Sequence, residues 1–156
     1  MGKFNIPRIA RPVDLARYAP ELAEEIAKAL PPIFMWVNLS RDMRTEYFTN
    51  QRETRRLNLA IQETGEKYER TETEKDKAAV KAGSEVLVPQ LTAVGTRMTA
   101  WWAEAWSQGP ETARWTADEV QALLAECSDK DPALWEFIVD ECWRMVSQHR
   151  ESAQKN

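Results

Sequence analysis

Glycine is scarce, with five in 156 residues. Sandwiches and barrels need more turn chemistry than that, so helices are favoured. Long apolar runs are missing too, and none reaches the about 18 residues a membrane span needs. The N-terminus, MGKFNIPRIARP, is basic, but no apolar stretch follows it, so it does not read as a secretory signal. Gly2 follows Met1, yet Ile6 stands where an N-myristoylation pattern wants Ser or Thr. The expectation is a cytoplasmic protein, neither secreted nor inserted in a membrane. His149 is the one histidine. With Cys127 and Cys142 it lacks the clustered spacing of a structural zinc site. The two cysteines read as reduced core residues in a signal-free chain, with a disulfide as the other reading. No Gly-rich phosphate loop, dinucleotide fingerprint or nucleophile elbow is present. Adjacent acids such as Glu24–Glu25, Asp118–Glu119 and Asp140–Glu141 fall on helix surfaces, where neighbours do not converge in a cleft. These absences lead to the expectation of a non-enzyme without catalytic residues, cofactor or metal.

What is present is a soluble globular composition: 43% hydrophobic, 29% charged, net charge −4. The length suits one domain with a real core. The net charge argues against nucleic acid as the main partner. The charge is unevenly spread. Residues 1–17 hold four basic residues against one acidic, and residues 104–142 hold ten acidic against two basic. A basic front and an acidic back suit attraction within a molecule or between copies, and also suit ordinary solvated faces.

The stretch at residues 84–107 organises the rest. Leu87, Leu91, Val94, Met98, Trp101 and Ala105 recur at steps of four and three, which puts one apolar seam on one side of a helix. Trp102 and Trp106 widen it. Pro89 removes a backbone hydrogen bond there at a cost of about 3 kcal/mol, predicting a kink or a fresh helix start. This helix is expected to run to Trp106 and to stop at Gly109–Pro110, with Gly109 free to take the left-handed conformation.

Before it, Pro7 and Pro12 predict an extended arm. Asp14 starts a single helical turn through Tyr18, and Pro20 opens a short helix bearing Leu22, Ile26, Ala29 and Leu30 on one face. Pro31–Pro32 ends it. IFMWVN at 33–38 is the best strand, with the arm at 4–10 as its expected partner. Ser40 is a reasonable cap for a helix with basic outer residues Arg41, Arg44, Arg52, Arg55 and Arg56. That helix either runs on past Gly65 or breaks there, and residues 64–77 form the exposed tip of a helical hairpin. Beyond the central helix, Thr116 and Glu119 spell a capping box, and Trp115 with Val120 a hydrophobic staple. Asp131 and Pro132 open a final helix with Trp135, Ile138, Val139, Cys142, Trp143 and Val146 inward, ending in a polar tail that frays. The fold class is therefore mainly α, in a single domain. Residues 1–39 make an arm, a short helix and a minor β element. Residues 40–107 make a long hairpin, and residues 110–150 two short helices.

Seven tryptophans admit two readings. One is a Trp-rich core. The other is a partner groove at residues 98–115, because indoles are enriched at interface hot spots. The groove reading names Trp36, Met98, Trp101, Trp102, Trp106 and Trp115 as partner-binding residues.

The order of segments carries a resemblance. RPVDLARYAPEL at 11–22, an apolar strand ending VNLSR at 37–41, a charged helical region, and a Trp-rich segment leading into WTADEV at 115–120 and a short final helix together resemble tail assembly chaperones of long-tailed bacteriophages. The resemblance implies a cytoplasmic, non-virion factor. Such a factor binds the long helical tape measure protein, keeps its apolar stretches from aggregating and yields it to tail tube subunits. A longer form made by ribosomal frameshift is common in that family. An amphipathic helix needs an apolar groove with a charged rim, and the acidic helices after Trp115 suit such a rim. The alternative is a small structural or connector protein of a phage particle, held by homo-oligomer contacts. A basic-helix regulator acting on nucleic acid through Arg41–Arg56 is a third class, set back by Asp42, Glu46 and Glu53 in the same segment.

Overall fold

The computed structural model describes residues 6–111 and 113–155. Its order is β1 (Ala10–Pro12), α1 (Pro20–Ala29), β2 (Phe34–Trp36), α2 (Arg41–Arg70), α3 (Glu74–Ala105), β3 (Trp106–Ser107), α4 (Ala117–Lys130) and α5 (Pro132–Lys155), with a 3₁₀ turn at Leu15–Arg17 after β1. The chain is mainly helical with a small three-stranded antiparallel sheet in the order β1-β2-β3. It divides into two compact units. One is the hairpin Asp42–Met98, and the other is formed by the described residues on either side of it.

In the second unit, β2 follows from alternation. Ile33, Met35, Val37 and Leu39 are buried, while Phe34, Trp36 and Asn38 between them are half-buried. A pleated strand shows one face in this way. The arm is its partner, as the prolines suggested, but the pairing starts later than 4–10. Ala10 lies opposite Trp36, Arg11 opposite Met35 and Pro12 opposite Phe34. Residues 4 and 5 lie outside the described residues. Beyond the strand, Asn38 holds the arm on both sides, accepting from Ile9 N–H at 2.7 Å and donating to Pro7 O at 3.0 Å. The third strand corrects the expected end of the central helix. Trp106 leaves α3 and pairs with Met35, as Ser107 does with Phe34. Trp115 N–H then donates to Trp106 O at 3.1 Å. Gly109 takes no left-handed conformation, since no described glycine has positive φ. A strand already ends the helix, so no left-handed cap is required.

Asp14 caps the 3₁₀ turn by accepting from Ala16 N–H at 3.1 Å, and Pro20 stands at the first position of α1. The capping box of α4 forms in both directions. Glu119 N–H donates to Thr116 Oγ1 at 3.2 Å and Thr116 N–H to Glu119 Oε1 at 2.9 Å. Trp115 and Val120 of the staple are both buried. The last helix is longer than expected, running to Lys155 through the tail expected to fray. Glu141 on α5 is buried and takes Arg17 Nη1 at 2.9 Å and Arg144 Nε at 3.0 Å, tying the 3₁₀ turn to this helix.

In the hairpin unit, α2 continues past Gly65, where nothing lies near the missing Cβ. The tip is only Thr71–Thr73, because both helices extend into the charged stretch. The seam holds Tyr47, Asn50 and Leu57 of α2 and Val94 of α3, all buried. Arg97 Nε donates to Asn50 Oδ1 at 3.3 Å across the two helices. Pro89 neither breaks nor restarts α3, which is one helix from Glu74 to Ala105. The carbonyl of Glu85, deprived of its donor, belongs to an exposed turn, as does Pro89 itself. A carbonyl in an exposed turn is open to solvation, which softens the loss without restoring the bond.

Candidate partner-binding site

The tryptophans sort cleanly. Trp101, Trp102, Trp106 and Trp115 are 2%, 2%, 0% and 3% exposed. They lie in one chain of ring contacts. Trp101 meets Trp102 edge-on at 4.9 Å, Trp102 meets Trp106 at 5.1 Å, and Trp106 meets Trp115 at 5.2 Å. Trp135 adds contacts to Trp102 and Trp106, and Trp143 stacks on Trp101 at 6.0 Å. Six indoles thus bury one another, each offering its neighbour an edge or a face. The Trp115 Nε1–H is satisfied by Pro32 O at 2.8 Å. These four rings present core, not a groove, which corrects the reading of residues 98–115 as partner surface. Trp36 lies outside the cluster, half-buried under the Arg8 guanidinium at 4.2 Å. Arg8 is held there by Glu104, donating to its carbonyl at 2.6 Å and to Oε1 at 3.4 Å. Met98 is half-buried on α3.

A concave apolar surface among the described residues of this unit lies elsewhere. Leu22, Ile26, Ala29 and Leu30 of α1 face Ala122, Leu123 and Cys127 of α4 and Leu134 of α5 across a cleft of ≈ 580 Å³. That volume is in the range of ligand clefts. Each of the two walls lines the cleft over about two helical turns, from Leu22 to Ala29 on α1 and from Ala122 to Lys130 on α4. Its floor is inert. Burial, then the charges of Asp131 and Glu126, push the Cys127 thiol up to about 11, so it stays a neutral, apolar group. Cys142, also free, is pushed up to about 12 by burial, an effect that the Trp106 indole only partly offsets.

The rim is acidic. Glu25 stands on the α1 edge, and Glu126 and Asp131 stand opposite. Lys130, the one cation lining the cleft, is bound to Glu126 at 2.8 Å. Asp131 Oδ2 accepts from the Tyr18 hydroxyl at 2.7 Å, a bond that raises the phenol's pKa. The apolar face of α1 is legible in the sequence. That α4 faces it without filling the space is not, because a trough is a property of two elements and their separation.

The hairpin unit carries exposed apolar groups of its own. Val86 and Val88 are 62% and 53% exposed on α3, and Leu59 is 56% exposed on α2. A second, polar cleft is lined by Arg11, Arg144, Gln148, His149 and Ser152. Among the described residues no three His, Cys, Asp or Glu converge as a metal site, and no helix is long and apolar enough to cross a membrane. Comparison with family models, with curated proteins and with solved structures finds no match to this chain.

Proposed function

We propose that this chain is a non-catalytic assembly factor of the tail assembly chaperone kind, acting in the cytoplasm on the tape measure protein of a long-tailed bacteriophage and handing it on to tail tube subunits. The resemblance in segment order supplies the partner. The observation that carries the reading is the exposed apolar surface on the two flanks of α3, either side of its half-buried seam at Ser84, Leu87 and Leu91. From Ala82 to Thr96 the only charge is Glu85, and Val86 and Val88 remain more than half exposed. A helix that is apolar on both sides ordinarily has both sides covered. A factor that shields another chain's apolar helix needs such an uncovered surface of its own.

The test is co-purification of this chain with the tape measure protein, repeated with Val86→Lys/Val88→Lys. Lys is the better helix former at both positions, so α3 is preserved. Capture of the tape measure protein by the native chain, reduced about tenfold in the variant, is the expected result. Equal capture by both contradicts it. Presence of the chain in finished particles favours the connector reading instead.

A further inference from the structure

We infer that the trough between α1 and α4 is a second docking site, made for two turns of a basic amphipathic helix from another protein. This site is separate from the α3 surface and does not depend on the chaperone reading. Three observations carry it. Two of the trough's walls are helical, α1 and α4, each lined over about two turns, so a helix laid between them would present apolar groups at i, i+3 or i+4, and i+7. Its floor is apolar over Leu22, Ile26, Ala29, Leu123 and Leu134. Its rim is net negative: three carboxylates, Glu25, Glu126 and Asp131, stand against Lys130, the one cation among the described lining residues, which is paired with Glu126 at 2.8 Å. Lys or Arg flanking the apolar stripe of the occupant would therefore meet carboxylates on either side. An acidic helix would meet repulsion there, so the rim selects as well as attracts.

The occupant is another chain and not a second copy of this one. Between Arg52 and Glu63 the basic stretch of α2 offers exposed Leu59 and half-buried Ile61, with Leu57 buried in the hairpin seam, too thin a stripe to fill the trough.

The experiment titrates the full chain with two designed helical peptides sharing one Leu stripe, one flanked by Lys and the other by Glu, followed by fluorescence anisotropy. The Lys peptide is expected to bind and the Glu peptide to bind at least about tenfold more weakly. Binding of the Lys peptide should weaken as salt rises from about 0.05 to 0.3 M. In Glu25→Lys/Glu126→Lys, whose altered side chains lie at the exposed edge, the preference should invert. Equal binding of both peptides, or salt-independent binding, overturns the proposal in the unaltered protein even where the variant fails to fold. So does self-association of the chain that the same variant abolishes, because a second copy would then occupy the trough. Loss of tape measure capture with retained peptide selectivity would strike the chaperone reading and leave this one standing.

Discussion

Glu141 is a buried carboxylate held by two arginines from different elements. The hydrogen bond from Arg144 holds its pKa below the ordinary 4.5, burial opposes this, and the charges of Arg144 and Arg17 add to the lowering. A carboxyl whose folded pKa is depressed adds stability that is fully present above its unfolded value and is lost as pH falls through the folded one. Acid unfolding should therefore show a component below about pH 4.5 that flattens in Glu141→Gln, as read by denaturant midpoints across a pH series. Superimposable pH dependences for the two proteins would contradict this assignment. Trp106 is the other decisive residue. It is fully buried, touches Trp102, Trp115 and Trp135, and also carries the edge of the sheet. Trp106→Ala should cost about 3–5 kcal/mol, a large part of the about 5–15 kcal/mol a domain has. The expected readout is a collapse of the near-UV circular dichroism of the indole cluster. The count of seven tryptophans was legible in the sequence, but their fate was not. Indoles at 101, 102 and 106, read as one helical face, suggested an overflow of apolar surface. Trp115, Trp135 and Trp143 arrive from elsewhere in the chain to cover it, and those pairings are long-range.

At the scale of elements, local signals served best where the chemistry is local. The Asp14 cap, Pro20, the Thr116–Glu119 box and the Asp131–Pro132 start all form within a few residues of their signal. Failures came where a tertiary neighbour decides. Trp106–Ser107 is too short for any period, and it becomes a strand because β2 offers an open edge. Pro89 reads as a breaker, yet the exposed turn around it leaves the unpaired carbonyl open to solvation. Helix α3 thus carries removable penalties. Gly83 and Gly95 have nothing within 4 Å of an added Cβ, and Gly65 on α2 is equally open. Replacing each by Ala should raise stability by about 0.5–1 kcal/mol. Pro89→Ala should add up to about 3 kcal/mol by restoring the bond to the Glu85 carbonyl. Thermal unfolding of the four single variants checks this, and a drop in midpoint for Pro89→Ala would mean that the proline sets the path of the helix. Loss of the α4 cap in Thr116→Ala should work the other way, costing about 1 kcal/mol.

Across the whole molecule, the scarcity of glycine and the four-three spacing on α3 made the helical class legible, and the paired extended segments announced the sheet. The division into two units was not legible, because α2 and α3 each run as one uninterrupted helix and no linker composition marks a boundary. The two surfaces that bear on function were hidden for a related reason. Val86 and Val88 look like core until the seam of α3 is seen to run between them, leaving each on an exposed flank, and the α1–α4 trough exists only once both walls are placed. The apolar flanks of α3 in one unit, and the acid-rimmed trough in the other, are what the proposed holding of other chains rests on. The most direct measurement is the soluble fraction of the tape measure protein expressed with and without this one. The account predicts a severalfold rise in soluble tape measure protein that Val86→Lys/Val88→Lys cancels. An unchanged soluble fraction would contradict it.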